Sequence, residues 1–388
     1  MQVKRSNPPV ECDVVVVGAG IVGLATAREL ILRHDGLRVA VLEREASIGV
    51  RQTGQTSGVI HAGIYYEPGS LKARLCVEGA RDLYGYCDQR GIATRRSGKL
   101  IVATAEDELP RLDELERRGR ENGVEGLRRL TGGEIAEVEP HVSGVAALHS
   151  PGTGTVDFRR VASAFASDLE TRGGTVALEC EVRAIHHDES AVRVEHRSGT
   201  TRAAALVGCA GGWADRLAIA AGAPGEPRIV PVRGAYLRLR PERAALVRSS
   251  IYPVPDPSLP FLGAHLTRSH DGAVLLGPTA LIAGGLARPG TWRLARRHWR
   301  AGLKELRHAL YRGGLVAEAR RFLPTLRRDD FVPGPTGTRA QAVARDGSLV
   351  DDFVVSRVGR SVHLRNAPSP AATAALAIAR LIADEVQL

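Results

Sequence analysis

The sequence predicts an α/β fold in which a doubly wound, mostly parallel sheet is discontinuous along the chain and a mostly antiparallel β domain is inserted into it. Three observations predict it. Val14 to Val17 are four β-branched residues in a row, followed by spaced glycines, a helical pattern and a second apolar run, which is the order of a βαβ unit. A second strand-then-glycine unit ends far downstream at Gly211 and Gly212. Between and beyond them, segments such as 229–240 alternate apolar and polar residues, as antiparallel strands with one wet face do.

The first unit carries the sharpest chemistry. Gly18, Gly20 and Gly23 stand in G-x-G-x-x-G spacing directly after the valine strand. Gly18 suits a tight turn, Gly20 a close approach of pyrophosphate to backbone, and Gly23 close helix–strand packing. The helix that opens at Ile21 and Val22 offers unpaired N–H groups to phosphate. Glu43 ends the second strand about 20 residues on, where a carboxylate takes both hydroxyls of an adenosine ribose. A strand before, a helix after, a second strand and a terminal acid together imply a dinucleotide site, and the acid favours FAD or NAD over NADP. A glycine-rich turn that binds nothing is the bland alternative.

Composition narrows the remaining classes. The chain has 388 residues, enough for two domains, and an apolar content of 44% that is ordinary for a globular protein. The net charge of +10 raises nucleic acid or membrane as partners. Only four residues are Lys and one is Met, so the charge is mostly Arg and reads as coding bias. With 4% aromatic residues and no aromatic–basic motif, no nucleic-acid partner is expected. Five scattered cysteines without a C-x-x-C suggest reduced thiols, no metal site and a cytoplasmic protein. The first residues lack the apolar stretch of a signal peptide, and no run is long enough to span a membrane.

Taken in order, residues 46–63 form a polar loop rich in Gly, Ser and Thr, placed to run beside the cofactor with Arg44, Thr53, Ser57, Gly58 and Val59 among its contacts. Residues 65–91 run into a helix with Ser70 as its cap, and 97–104 is a strand. Residues 106–119 are a charged helix, 131–140 an acidic turn, and Val156–Phe158 a strand returning to the core. A helix over 159–172 precedes a strand, a hairpin and the strand ending at Ala210 and Gly211, after which Trp213 opens a helix. Residues 251–260 read as a proline-rich loop, 261–267 and 272–279 as strands, 293–319 as helical, and 334–343 as a loop leading into a strand. A strand, a small-residue turn and a helix close the chain. The nucleotide-binding unit is thus expected over 1–85, 145–225 and 335–388, and the substrate unit over 86–144 and 226–334.

Several segments resemble one family. They are SGVIHAGIYY, RGAYL, YPVPDPSLPFLGAHLT, TRAQAVARDGSLVDDF and RNAPSPAATAALAIA. Together they are similar to the L-2-hydroxyglutarate oxidases and dehydrogenases, within the D-amino-acid-oxidase-like FAD enzymes, over nearly the whole chain. The resemblance implies a discontinuous FAD-binding Rossmann-like domain with an inserted antiparallel substrate domain. It also implies oxidation of a small 2-hydroxy acid to the 2-oxo acid, with oxygen or a respiratory quinone as electron acceptor.

Such a reaction needs a base for the hydroxyl proton and a cation for the substrate carboxylate. His61 is the candidate base: it follows Gly58-Val59-Ile60 where the loop returns, and imidazole titrates near ~6.5. A histidine that merely bonds the loop or the flavin is the alternative. By resemblance, Arg339 in Gly337-Thr338-Arg339 holds the substrate carboxylate beside the flavin. Arg233 is a second anion contact, and Tyr65 and Thr279 are candidate pocket residues. Residues 366–373 read as a clamp on the flavin ring through Pro368, Ser369, Pro370, Ala371 and Ala372, and the resemblance implies that Val182 lies against adenine. The chain reads GPTA at 277–280 where that family carries GPNA, and 281–290 is shorter and blander than its counterpart, so the substrate side chain stays open. An alcohol or amine of a specialised metabolite is the competing substrate. Residues 291–328, with Trp292, Trp299 and ten arginines, form a solvated charged face or a peripheral membrane contact at the inner face of the membrane.

Overall fold

In the computed structural model, which describes residues 6–257, 262–311 and 313–388, the valine run forms the strand Glu11–Val17, buried from Val14 to Val17. It pairs in parallel with Val39–Leu42 on one side and with Gly199–Gly208 on the other. Thr175–Ala177 extends the sheet beyond Val39–Leu42. On the far side Gly199–Gly208 takes Ser361–Asn366 in parallel and Val192–His196 antiparallel. Eight strands from distant parts of the chain thus make one sheet. Helices Ile21–Arg33, Phe158–Thr171 and Ala375–Glu385 close its face, and Leu24, Leu30, Phe165 and Ile378 are fully buried there. Each such side chain contributes about 1.5–3 kcal/mol by leaving water.

The second sheet has nine strands. Its longest pair is Arg228–Leu239 against Phe331–Val343, antiparallel. Val274–Gly277, His265–Arg268, Ser250–Pro253, Lys99–Ala103, Ala146–Ser150 and Arg128–Thr131 follow in order. The pairing is antiparallel except between Ser250–Pro253 and Lys99–Ala103. A small third sheet joins Val59–Ile60, Gly154–Val156 and Thr94–Arg95 where the chain passes between the two layers.

Some local readings change. Residues 131–140 are not a bare turn: Gly132–Val138 is a helix, because the Glu134 carboxylate accepts from both the N–H and the hydroxyl of Thr131. The strand expected at Val156–Phe158 ends at Val156, since the Asp157 side chain accepts from the Arg159 N–H and starts the next helix. Residues 293–319 are three helices, Pro289–Arg297, Trp299–Leu310 and Gly313–Ala319. The loop expected over 251–260 begins as the strand Ser250–Pro253, and its residues 258–260, like Phe261, lie outside the described residues. Residues 334–343 are strand throughout. Residues 146–150 and 335–343, expected with the nucleotide-binding unit, pair in the nine-stranded sheet.

Candidate active site

A cavity of about 630 Å³ runs between the two sheets, within the ~300–1,000 Å³ of ligand sites. One end is built by the first βαβ unit. Gly18 has φ +107° and its absent Cβ would lie 2.5 Å from Cys209 O, while a Cβ on Gly23 would lie 2.0 Å from Gly18 O. Neither place admits a side chain. Gly20 differs: a Cβ there would meet only Thr53 Oγ1 at 3.5 Å, so its backbone faces open space. The Ile21 N–H donates to Thr53 Oγ1 at 3.0 Å, which fixes the start of the helix beside that space. The Glu43 carboxylate accepts from the N–H groups of Ala19 at 2.7 Å and Glu45 at 2.9 Å, so it is aimed before any ligand arrives. Arg44 stacks on the Trp213 ring, 3.4 Å from its centroid. Val22, Val182, Ala210 and Gly211 line the same end.

The other end is built from segments far apart in sequence. Ser57, Val59 and His61 come from the loop after the second strand, and Pro368 to Ala372 from the turn before the last helix. Thr279, Gly337 and Arg339 come from the nine-stranded sheet. His61 Nε2 lies 3.3 Å from Ser369 Oγ, and the His61 N–H donates to Thr373 Oγ1 at 3.1 Å. Burial pushes the His61 imidazole well below its ordinary range, and the positive charges of Lys99, His265, Lys72 and Arg339 push it further the same way. His61 is therefore neutral at neutral pH and able to accept a proton.

Not every expected residue meets the cavity. Arg233 is exposed on the opposite side of its strand, because strand alternation turns Val232, Gly234 and Tyr236 toward the cavity instead. Tyr65 lies behind the wall, with its hydroxyl buried and without a hydrogen-bond partner among the described residues. Gly58 packs against Val156, whose carbonyl a Cβ would meet at 2.7 Å. Thr279 reaches the cavity but is tied to the sheet: its hydroxyl accepts from the Ala235 N–H at 3.0 Å. Asn366 turns away and donates to Val350 O and Asp352 O, so the clamp proper is 367–373. Arg339 lies within the strand Phe331–Val343 opposite Val232, not in a turn before it.

Sequence reading missed His265 and Tyr236, which line the cavity, and Lys99, which is buried near His265. The available signal was a lysine opening an otherwise apolar strand, Lys99-Leu100-Ile101-Val102.

The cavity's elements also match known proteins. The FAD dependent oxidoreductase family matches residues 13–385. The chain belongs to that family. The human mitochondrial L-2-hydroxyglutarate dehydrogenase is 44% identical over 99% of this chain and 90% of its own length. An Escherichia coli L-2-hydroxyglutarate dehydrogenase is 40% identical over 97% of this chain and 93% of its own. Among solved structures, the L-α-glycerophosphate oxidase of Mycoplasma pneumoniae, with FAD bound, aligns with a TM-score of 0.79 at 25% identity, covering 97% of this chain and 96% of that one. The oxidoreductase uses FAD. The residues present fit that cofactor: an open face at Gly20, a helix N-terminus beside it, an oriented acid at Glu43, and a long cavity ending at His61.

Proposed function

We propose that the enzyme oxidises an L-2-hydroxy acid to the 2-oxo acid, with L-2-hydroxyglutarate, the substrate named for its relatives, as the first candidate. When bound, FAD accepts the hydride from the carbinol carbon. His61 takes the hydroxyl proton at Nε2, with Ser369 beside it to orient the ring. Arg339 holds the substrate carboxylate, and a guanidinium does so through two parallel hydrogen bonds. The turn 367–373 presents small residues and the helix Ala375–Glu385 behind them to the flavin end.

The observation that carries this reading is a neutral histidine set among cations. Lys99 and Arg339 both act on His61, the Lys72 ammonium being paired with Asp351 at 2.7 Å, and the acids lining the cavity, Glu43, Glu45 and Glu181, belong to its nucleotide end. Such a field attracts a carboxylate and repels the ammonium of an amino acid. It therefore favours a hydroxy acid over the amine substrates that the same fold accepts elsewhere. The test is anaerobic mixing of purified enzyme with L-2-hydroxyglutarate, D-2-hydroxyglutarate, L-lactate and L-glutamate, following flavin absorbance. Bleaching by L-2-hydroxyglutarate and not by L-glutamate is expected. Bleaching by the amino acid alone would overturn the reading.

Oxygen or a quinone takes the electrons onward. The quinone is favoured by helices Pro289–Arg297 and Trp299–Leu310, where Trp292, Trp299, Leu303 and Leu306 are exposed beside Arg293, Arg296 and Arg300. Aromatic, apolar and cationic groups on one face suit the surface of an anionic bilayer. Among the described residues no helix is long and apolar enough to cross a membrane. The exposed Trp and Arg face favours peripheral contact at the inner face of a membrane, with the enzyme on the cytoplasmic side. Co-sedimentation with phosphatidylglycerol vesicles, lost in a Trp292→Ser, Trp299→Ser double variant, would support this face. Oxygen consumption without added quinone, at the rate of flavin reduction, would remove the need for it.

A further inference from the structure

Behind the His61 wall lies a layer of polar groups that the chemistry above leaves unused. Lys99 opens the strand Lys99–Ala103 and is 1% exposed. Among the described residues no carboxylate forms an ion pair with it. Its Nζ faces aromatic rings instead, 4.2 Å from the centroid of Tyr252 and 5.2 Å from that of Tyr65. Tyr252 stacks on His265, with centroids 4.1 Å apart, and His265 lines the cavity. The Tyr65 hydroxyl is buried and makes no hydrogen bond among the described residues.

Among the described residues no protein group balances that charge. The thiol of Cys76 is pushed up to about 12 by burial, and the phenols of Tyr65, Tyr66 and Tyr252 are pushed up from their ordinary values by burial as well, so all stay neutral. Cation–π contact offsets only part of the cost of a desolvated ammonium. A buried cation, an orphaned hydroxyl and an adjoining cavity together form a place for an anion from outside the chain. Lys99 and Arg339 both lower the pKa of the His61 and His265 imidazoles, and Arg339, His61 and His265 all line the cavity.

We propose that Lys99 and the Tyr65 hydroxyl form a second anion subsite, which takes the distal carboxylate of a dicarboxylic 2-hydroxy acid whose first carboxylate is held by Arg339, with His265 walling the passage between them. The proposal rests on the hydroxy-acid reading and adds the substrate's second charge to it. A hydroxy acid with an apolar side chain fills the first subsite and leaves Lys99 uncompensated. The enzyme therefore selects dianions through Lys99, a specificity-determining residue rather than part of the proton transfer.

The test uses ligands that cannot react. Glutarate and butyrate share chain chemistry and differ by one carboxylate. Holoenzyme is titrated with each by calorimetry, in wild type and in Lys99→Met. Wild type is expected to bind glutarate at least roughly tenfold more tightly, and Lys99→Met to lose roughly that factor for glutarate while butyrate is unchanged. An undiminished preference in the variant overturns the subsite, as does its absence in wild type. If Lys99→Met fails to retain FAD, Tyr65→Phe carries the same expectation at about threefold, and equal binding of glutarate by that variant and wild type overturns it. The bleaching experiment separates the two readings. Loss of preference in the variant, without bleaching by L-2-hydroxyglutarate, keeps the subsite and removes the hydroxy-acid reaction. Bleaching with the preference intact in Lys99→Met does the reverse.

Discussion

The backbone N–H of His61 donates to the hydroxyl of Thr373 at 3.1 Å, across a sequence separation of 312 residues. The same hydroxyl donates to Val59 O at 3.3 Å, and Thr373 is 1% exposed. One side chain thus holds the histidine loop against the turn before the last helix. Thr373→Val keeps the shape and removes both bonds, leaving a buried N–H and C=O unpaired at a cost of about 1–3 kcal/mol. A lower melting temperature and a roughly tenfold fall in kcat, from a displaced imidazole, are expected. Calorimetry and steady-state rates equal to wild type would show that Thr373 does not position His61.

His61 itself should behave as a base with an acid limb displaced to low pH. Burial dominates the shift, and Lys99, His265, Lys72 and Arg339 add to it. The neighbouring Cys76, whose Sγ donates to His61 O at 3.4 Å, and Ser369 are neutral and do not oppose them. A depressed imidazole keeps its lone pair as pH falls through ~6.5, where free histidine would lose it. The profile of kcat/KM is therefore expected to stay level from about pH 7 to pH 6, below the titration of the Lys99 ammonium at about 8, and to fall only below that. His61→Ala should slow anaerobic flavin reduction by about 10²–10⁴-fold with FAD retained. Reduction at the wild-type rate in stopped flow would take the base role away from His61.

The nucleotide end was legible because its parts are local. Val14 to Glu43 is one contiguous unit whose strand, glycines, helix and acid are fixed by spacing, and each of Gly18, Gly20, Gly23 and Glu43 lies on the cavity. The reactive end was legible only in pieces. His61 and Ser369 announced themselves by glycine- and proline-rich context, but nothing in sequence says that they lie 3.3 Å apart. Arg233 was misplaced because which face a strand residue takes depends on register, and Val232 holds the inner face. Residues 334–343 resembled a loop because the segment opens Gly334-Pro335-Thr336-Gly337-Thr338; its strand character comes from pairing with Arg228–Leu239, a partner about a hundred residues earlier. His265 and Lys99 were passed over because their meaning lies in what surrounds them, a fact of tertiary packing.

Arg339 and Lys99 should be separable by charge. Arg339 lines the cavity from the strand Phe331–Val343, on the side shared by both ligands' first carboxylate. Arg339→Leu is expected to raise the dissociation constants of glutarate and butyrate alike, by roughly 10–100-fold, the scale of a charge-assisted bidentate contact. Arg339→Lys should restore only part, since an ammonium lacks the planar fork. Calorimetric titration decides: butyrate bound equally by wild type and Arg339→Leu would reject the carboxylate anchor.

Lys99→Met should stabilise the ligand-free holoenzyme even as it removes dianion selection. Burial lowers the Lys99 ammonium from 10.5 to about 8. Below pH 8 both folded and unfolded chains carry the proton, and the folded state bears the full cost of the buried charge. Between about 8 and 10.5 the unfolded chain still binds the proton and the folded one does not, so wild-type stability rises with pH across that window. Methionine has a similar length and no charge, which makes the variant more stable at pH 7 by on the order of 1–3 kcal/mol, with the advantage shrinking toward pH 10. Urea unfolding at pH 7 and pH 10 measures this. A wild type more stable than the variant at pH 7 would mean that the rings of Tyr65 and Tyr252 already satisfy the charge, leaving no deficit for a ligand to fill. Saturating glutarate should narrow or reverse the order at pH 7, because a ligand that binds wild type more tightly stabilises it more.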